Sequence, residues 1–206
     1  PEKYAKRLKH LKGCSINTRF QIIVIDECQD FSDLEMDVLR KLSPNIIAVG
    51  DLDQSVYETR PSAFFGTLRS FCLDTIYRYG PRIAELAQPF SGLHHQMVHQ
   101  VTKVDNTSAF KIKTSGGNDE LDKLALLLNS KRHTDETVAV LAPRREQLLV
   151  LKSGLERNGV SCFFAESNKE MRGYNFDSRI PVLITPYSAK GMEFECVILY
   201  GFDISH

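Results

Sequence analysis

The sequence has 206 residues, of which 42% are hydrophobic and 25% are charged, and it contains no internal repeat or low-complexity tract. This composition suits one globular domain or two small ones and excludes a repeat or low-complexity protein. The 26 basic and 26 acidic residues cancel, so any contact with nucleic acid must be local.

No apolar run approaches the roughly 18 to 20 residues that a membrane-spanning helix needs. The basic N-terminal segment, residues 1–12, does not resemble a signal peptide. We therefore expect a cytoplasmic protein with no membrane partner. The five cysteines have no Cys-x-x-Cys pair, which favours reduced thiols in or near the core over a zinc or redox centre. They are Cys14, Cys28, Cys72, Cys162 and Cys196.

The first predicted element is a basic helix, in which Tyr4, Leu8 and Leu11 fall at helical spacing. Such a basic face either contacts phosphates or is simply solvated, and the solvated face is the favoured interpretation. The basic side chains are Lys3, Lys6, Arg7, Lys9 and Lys12.

Two apolar runs with a helical stripe between them follow the basic helix. Residues 22–25 are closed by Asp26 and Glu27, and residues 46–49 are closed by Gly50 and Asp51. The pattern predicts a βαβ unit with a buried parallel sheet. Ligands gather at the carboxyl ends of such strands, so these acidic residues are candidates for chemistry.

A second α/β layer is predicted further along the chain. Residues 91–119 have weak periodicity and a turn sequence at 115–118, which indicates a strand or two joined by loops. The predicted fold class is α/β, with parallel sheets flanked by helices. Strands are predicted at 138–141, 160–164, 182–184 and 197–199, with a helix over 146–157 that ends at Asn158 and Gly159.

Two adjacent carboxylates, Asp26 and Glu27, end the first predicted strand. Nucleotide hydrolysis needs one carboxylate to hold Mg²⁺ and a neighbour to orient and deprotonate the attacking water. The dipeptide alone is equally typical of a solvated strand end.

The sequence context of this pair is more specific. Asp26-Glu27-Cys28-Gln29-Asp30 is similar to a Walker B motif that commonly reads Asp-Glu-Ala-Gln-Asp, and residues 49–57 are similar to the motif Gly-Asp-x-x-Gln-Ser-Ile-Tyr. Both belong to UvrD-like helicases, the UvrD/PcrA branch of superfamily 1. The resemblance implies that Asp26 holds Mg²⁺ with Glu27, that Glu27 is catalytic, and that Gln54 senses the γ-phosphate of ATP.

Residues 73–81 resemble the fourth motif of the same family, whose core is Asn-Tyr-Arg, with Ile76 in place of the asparagine. The resemblance implies that Tyr77 stacks on the adenine and that Arg78 stabilises charge on the transferring phosphoryl group. A buried tyrosine and a surface arginine beside a helix are the alternative for this segment alone.

Residues 184–194 resemble the fifth motif, typically Thr-x-His-x-Ala-Lys-Gly-Leu-Glu-Phe. The resemblance implies that Gly191 and Glu193 contact the nucleotide. It also implies that Thr185, Tyr187 and Lys190 contact single-stranded DNA or link it to ATP, with Tyr187 in place of histidine.

Further positions bear on the DNA and metal predictions. Thr59 replaces a tryptophan that stacks on DNA in relatives, which leaves Tyr57 as a stacking platform. His95 and His99, with His94 beside them, have the spacing of a helical metal pair, but without a third ligand nearby surface histidines are favoured.

By the same resemblance, residues 1–70 form the later half of a first RecA-like domain and residues 71–206 most of a second. The sequence contains no Gly-Lys dipeptide and therefore no Walker A loop, and the sixth motif is absent. We expect a piece of a longer motor that uses ATP and Mg²⁺, moves 3′ to 5′ on single-stranded DNA or at a DNA junction, and is inactive as this chain alone. The alternative is a non-catalytic RecA-like module that binds nucleic acid or protein.

Overall fold

The computed structural model describes residues 2–15, 17–51, 54–55, 69–90, 101–102, 109–131 and 134–202. The chain divides into two compact units, Pro1–Phe110 and Lys111–His206, called unit 1 and unit 2 below. None of the helices among the described residues has both the length and the apolar character needed to cross a membrane.

Unit 1 contains a short parallel sheet. Strands β1 and β2 pair in register, with Ile23 opposite Ile46 and Ile25 opposite Ala48. The βαβ unit predicted from the sequence is confirmed. The described elements are α1 (Glu2–Gly13), β1 (Ile23–Ile25), a 3₁₀ helix (Cys28–Asp30), α2 (Asp33–Leu42), β2 (Ile46–Ala48), α3 (Pro81–Ala87) and a second 3₁₀ helix (Gln88–Phe90).

Helix α2 begins at a capping box. The Ser32 hydroxyl accepts a hydrogen bond from the Glu35 backbone N–H at 3.3 Å, and the Glu35 carboxylate accepts one from the Ser32 backbone N–H at 2.7 Å. Met36 is fully buried and packs with Ile25 and Cys28. The cap and this apolar contact together fix α2 against one face of the sheet.

The basic helix α1 packs along α2 rather than lying free in solvent. The Tyr4 hydroxyl donates to the Glu35 carboxylate at 2.8 Å, and Lys12 forms an ion pair with Asp37 at 2.5 Å. Lys41 donates to the backbone carbonyl of Cys14 at 2.9 Å. The remaining basic side chains of α1 are exposed, as the favoured interpretation required: Lys3, Lys6, Arg7 and Lys9.

The opposite face of the β1–β2 sheet is not covered by the described residues. Val24 and Ile47 pair in register there, and they are 65% and 51% exposed. Ile22 and Val49 are exposed at the ends of the same strands. Parallel sheets ordinarily have both faces covered.

Unit 2 contains a four-stranded parallel sheet with the order β4-β5-β3-β6. All four predicted strands are present, although β4 is shorter than predicted, and the predicted helix ends at Asn158 as expected, with Gly159 at a φ of 73°. The elements are α4 (Gly117–Lys131), β3 (Val138–Leu141), α5 (Arg145–Arg157), β4 (Phe163–Phe164), α6 (Asn168–Met171), a 3₁₀ helix (Phe176–Ser178), β5 (Val182–Ile184), α7 (Pro186–Ala189) and β6 (Cys196–Leu199).

The prediction of strands and loops over residues 91–119 is corrected at its end, because α4 already begins at Gly117. Residues 91–100 and 103–108 lie outside the described residues. Val101 forms an isolated parallel bridge with Ile76, and the Thr102 N–H donates to the Ile76 carbonyl at 3.0 Å.

The core of unit 2 lies between helices α4 and α5 and the sheet. Leu128 of α4, Leu148 and Leu155 of α5, and Val140 of β3 are fully buried in one cluster. The five cysteines are free thiols, of which Cys28 is buried and Cys72 is exposed. Cys162 and Cys196 are half-buried and pack against the core cluster of unit 2. The prediction of reduced thiols in or near the core therefore holds for these two and for Cys28, and it is wrong for Cys72.

Candidate nucleotide-hydrolysis site

The two predicted catalytic carboxylates directly follow β1. Glu27 adopts the left-handed conformation, with φ 52° and ψ 43°, and caps the 3₁₀ helix Cys28–Asp30. The Asp26 carboxylate accepts a hydrogen bond from the Glu27 N–H at 2.9 Å. An L-residue adopts this conformation at a cost of about 1–2 kcal/mol, so the surrounding contacts must hold it in place.

The side chain of Gln29 holds this turn in place, and no role was predicted for it from the sequence. Its side chain is fully buried. The amide nitrogen donates to the Glu27 carboxylate, and the amide oxygen accepts from the Asp51 backbone N–H at 3.1 Å. One amide therefore joins the segment after β1 to the segment after β2.

The two segments approach so closely that only glycine fits at position 50. A Cβ on Gly50 would lie 2.3 Å from the amide oxygen of Gln29 and 2.7 Å from the sulfur of Cys28. Backbone hydrogen bonds continue the β1–β2 pairing past the strand ends. The Val49 N–H donates to the Ile25 carbonyl at 2.8 Å, and the Cys28 N–H donates to the Val49 carbonyl at 2.9 Å.

Gln54 is attached to the same turn through Asp51. Its backbone N–H donates to the Asp51 carbonyl at 3.1 Å, and its side-chain amide donates to the Asp51 carboxylate at 2.8 Å. The structure thus connects Glu27 and Gln54 at the carboxyl ends of two paired strands, by way of Gln29 and Asp51.

Tyr77 and Arg78 precede helix α3 and are exposed, Tyr77 by 74%. The adjacent Tyr79 lies within electrostatic reach of the candidate site. Burial raises the pKa of Tyr79, the Asp51 carboxylate raises it further, and the Arg78 guanidinium opposes both effects. The charges of Asp51 and Arg78 therefore shift the pKa of the same Tyr79 phenol in opposite directions, and all three residues lie in unit 1.

The residues of the fifth motif lie in unit 2, after β5. The Thr185 hydroxyl caps α7 by accepting from the Ser188 N–H at 3.3 Å, and Tyr187 is 51% exposed. Gly191 has a φ of 78°, which a non-glycine residue adopts only under strain. Lys190 is half-buried, and Glu193 is exposed.

The candidate residues thus form two groups, one in each unit. Unit 1 holds Asp26, Glu27, Gln54, Tyr77 and Arg78, and unit 2 holds Thr185, Tyr187, Lys190, Gly191 and Glu193. The predicted cleft between the two groups stays a prediction, as do the predicted domain bounds. Tyr57, Thr59 and the histidines 94, 95 and 99 lie outside the described residues.

Asp26 and Glu27 are the predicted ligands of Mg²⁺. Among the described residues, no group of three or more His, Cys, Asp or Glu side chains is arranged to hold a metal ion. Mg²⁺ is usually held by one or two carboxylates together with water and substrate phosphates. Asp26 and Glu27, at the end of β1, are the two carboxylates that would hold it.

Residues 9–65 match the sequence model of the UvrD/REP helicase N-terminal domain. The parallel α/β arrangement of β1, α2 and β2 lies within the matched segment. The match includes β1, both carboxylates, β2 and Gln54. The F-box DNA helicase protein 1 of Schizosaccharomyces pombe is 28% identical over 127 residues, which cover 58% of this chain and 14% of that relative. Residues 9–65 are thus similar to the N-terminal domain of UvrD/REP helicases, and the chain spans only a small part of the length of its relative.

Proposed function

We propose that the chain is part of an ATP-dependent DNA helicase or translocase that moves 3′ to 5′ along single-stranded DNA. The observation that carries this proposal is the hydrogen-bonded connection from Glu27 through Gln29 and Asp51 to Gln54. It brings a candidate base and a candidate phosphate sensor to the ends of paired strands, where nucleotide hydrolysis requires them.

In this proposal each residue of unit 1 has one task. Asp26 holds Mg²⁺ with Glu27, and Glu27 orients the attacking water and accepts its proton. Gln54 bonds the γ-phosphate, because an amide can donate and accept at once. Tyr77 stacks on the adenine, and Arg78 stabilises charge on the transferring group. Bound MgATP would supply the phosphoryl group that is transferred to water.

The proposed tasks of unit 2 concern the nucleotide and the DNA strand. Gly191 and Glu193 contact the nucleotide, while the exposed ring of Tyr187 supports stacking on a base. Thr185 and Lys190 contact the strand, as does Tyr57 of unit 1. The relative from Schizosaccharomyces pombe is named a DNA helicase, which supports DNA as the partner. In this proposal the DNA is a single strand or a junction.

A second candidate function is a RecA-like module that binds nucleic acid or protein without catalysis. The sequence contains no Gly-Lys dipeptide, and a phosphate-binding loop requires that lysine. Catalysis therefore requires that a phosphate-binding loop be joined to this chain.

Single-turnover ATP hydrolysis by a motor that joins this chain to a phosphate-binding loop tests the proposal. Glu27→Gln should retain ATP binding and abolish turnover, because the amide keeps the size of the carboxylate but cannot accept the proton of water. The matched control is Glu146→Gln, on the exposed surface of α5. Turnover near the unsubstituted rate in Glu27→Gln would contradict the catalytic role and favour the binding module.

A further inference from the structure

Four side chains and one backbone N–H form a connected hydrogen-bond network in unit 1. The Gln29 amide nitrogen donates to the Glu27 carboxylate, and its oxygen accepts from the Asp51 N–H at 3.1 Å. The Asp51 carboxylate accepts from the Gln54 side-chain amide at 2.8 Å. Glu27 and Gln54 are thus the two ends of a single network.

Gln29 is the buried centre of this network. A fully buried polar side chain is stable only when its hydrogen bonds are made, because each unsatisfied donor or acceptor costs about 1–3 kcal/mol. The amide meets this requirement with one donated and one accepted bond, and these two bonds point to different segments. The position of the Gln29 amide is therefore determined by both segments together. If the amide moves with one segment, its hydrogen bond to the other segment is weakened.

The packing around Gly50 leaves the network little freedom. The space that a Cβ at this position would occupy is already filled by the Gln29 oxygen and the Cys28 sulfur. A shift of the Asp51 segment towards the 3₁₀ helix Cys28–Asp30 would therefore cause a steric clash. Packed interiors transmit such displacements rather than absorb them.

We propose that Gln29 is a positioning residue whose amide couples the turn that carries Gln54 to the carboxylate of Glu27. The coupling rests on the proposed function for its purpose, since it would link phosphate sensing at Gln54 to the orientation of water by Glu27. Displacement of Gln54 pulls on Asp51, weakens the bond from the Asp51 N–H to Gln29, and changes the direction in which the Gln29 amide holds Glu27.

The test uses the isotopically labelled 206-residue chain without nucleotide, followed by nuclear magnetic resonance. Gln29→Met keeps the length of the side chain and removes both hydrogen bonds. Hydrogen exchange of the Asp51 amide should become roughly two- to tenfold faster. The side-chain amide resonances of Gln54 should also shift, although the hydrogen bonds described for Gln54 go to Asp51 and not to position 29.

Two further variants separate the coupling from a general loss of stability. Gln29→Glu keeps an acceptor oxygen for the Asp51 N–H and, while its buried carboxyl is protonated, a donor to Glu27, so it should restore slow exchange there at a pH low enough to keep that carboxyl protonated. Gln147→Met is the matched control, because the Gln147 oxygen accepts from the Arg144 N–H at 3.0 Å in unit 2. This control should leave the signals of Asp51 and Gln54 unchanged.

Unchanged Asp51 exchange and Gln54 resonances in Gln29→Met would overturn the coupling. If Gln29→Met does not fold, Glu27→Ala alters the half-buried end of the same network, and an unmoved Asp51 amide resonance would overturn the proposal equally. Because no nucleotide is present, failure of the coupling leaves the proposed ATP hydrolysis standing. Conversely, failure to hydrolyse ATP leaves these resonance measurements unaffected.

Discussion

Thr137 and Glu195 bind each other where β3 and β6 begin. The Glu195 carboxylate accepts hydrogen bonds from the hydroxyl and from the backbone N–H of Thr137, and the Thr137 hydroxyl accepts from the Glu195 N–H at 3.1 Å. The hydroxyl bond, followed by the backbone bond, lowers the pKa of the Glu195 carboxyl. Because Glu195 comes two residues after Glu193, this contact anchors the fifth-motif segment to the sheet.

The Thr137–Glu195 contact should make the stability of the chain depend on pH. A carboxyl group whose pKa is lowered by folding contributes stability above its ordinary value of 4.5, and that contribution is lost as the pH falls through the lower folded value. Thr137→Val should therefore cost on the order of 1 kcal/mol at pH 7, a small value because Glu195 is exposed. Urea unfolding at pH 7 and pH 3 measures this cost, which should shrink at pH 3, and Thr137→Ser should largely restore stability. An equal cost at both values of pH would contradict the assignment.

Gly50→Ala should destabilise the chain by about 1–3 kcal/mol, because its methyl group would overlap the Gln29 oxygen and the Cys28 sulfur. Gly117→Ala is the control, since a Cβ there meets nothing within 4 Å. Thermal unfolding of the two variants provides the comparison. Equal melting temperatures for both would show that the approach at Gly50 is looser than described.

The purified 206-residue chain should not hydrolyse ATP above background, with or without single-stranded DNA. Without a phosphate-binding loop, neither the triphosphate nor Mg²⁺ is held against Glu27, and catalysis by positioning is lost. Phosphate release measured with and without DNA tests this expectation. A DNA-stimulated rate that disappears in Glu27→Gln would contradict it.

Arg78→Ala should lower the rate of ATP hydrolysis by a factor on the order of 10³ or more in a motor that joins this chain to a phosphate-binding loop, as loss of an arginine finger does. By the predicted domain bounds, Arg78 belongs to the second RecA-like domain and would bridge the cleft to the γ-phosphate. The substitution should therefore also weaken the closure of the two predicted domains upon binding of a non-hydrolysable ATP analogue, which a fluorescence distance between them measures. Arg82→Ala is the matched control, because Arg82 is exposed and pairs with Glu85 in α3. Full closure in Arg78→Ala would contradict the proposed role.

The sequence predicted those elements whose signals are local. The apolar runs of β1 and β2 and the serine and glutamate of the α2 cap are adjacent in the chain, so their pattern is visible without tertiary contacts. Helix α4 was missed because Gly116 and Gly117 indicate a turn. In the structure that turn lies only at the start of the helix, and Leu124 and Leu128 bury its apolar face.

The candidate site was predicted in its residue types but not in its connections. Asp26 and Glu27 could be predicted as site residues because they directly follow a predicted strand. The role of Gln29 depends on the Asp51 N–H, twenty-two residues further on, and on a close approach that only the packing around Gly50 reveals. Long-range register of this kind has no local sequence signal.

The burial of Cys28 gives the site its own chemical reporter. The thiol is enclosed between the 3₁₀ helix and Gly50, and burial is the main reason that its pKa is raised. A thiol-alkylating reagent needs an exposed thiolate, so it can reach Cys28 only while the packing of this thiol against Gly50 and Met36 is opened. The exposed Cys72 reacts without any opening. The ratio of the two alkylation rates therefore measures how often this part of the site opens.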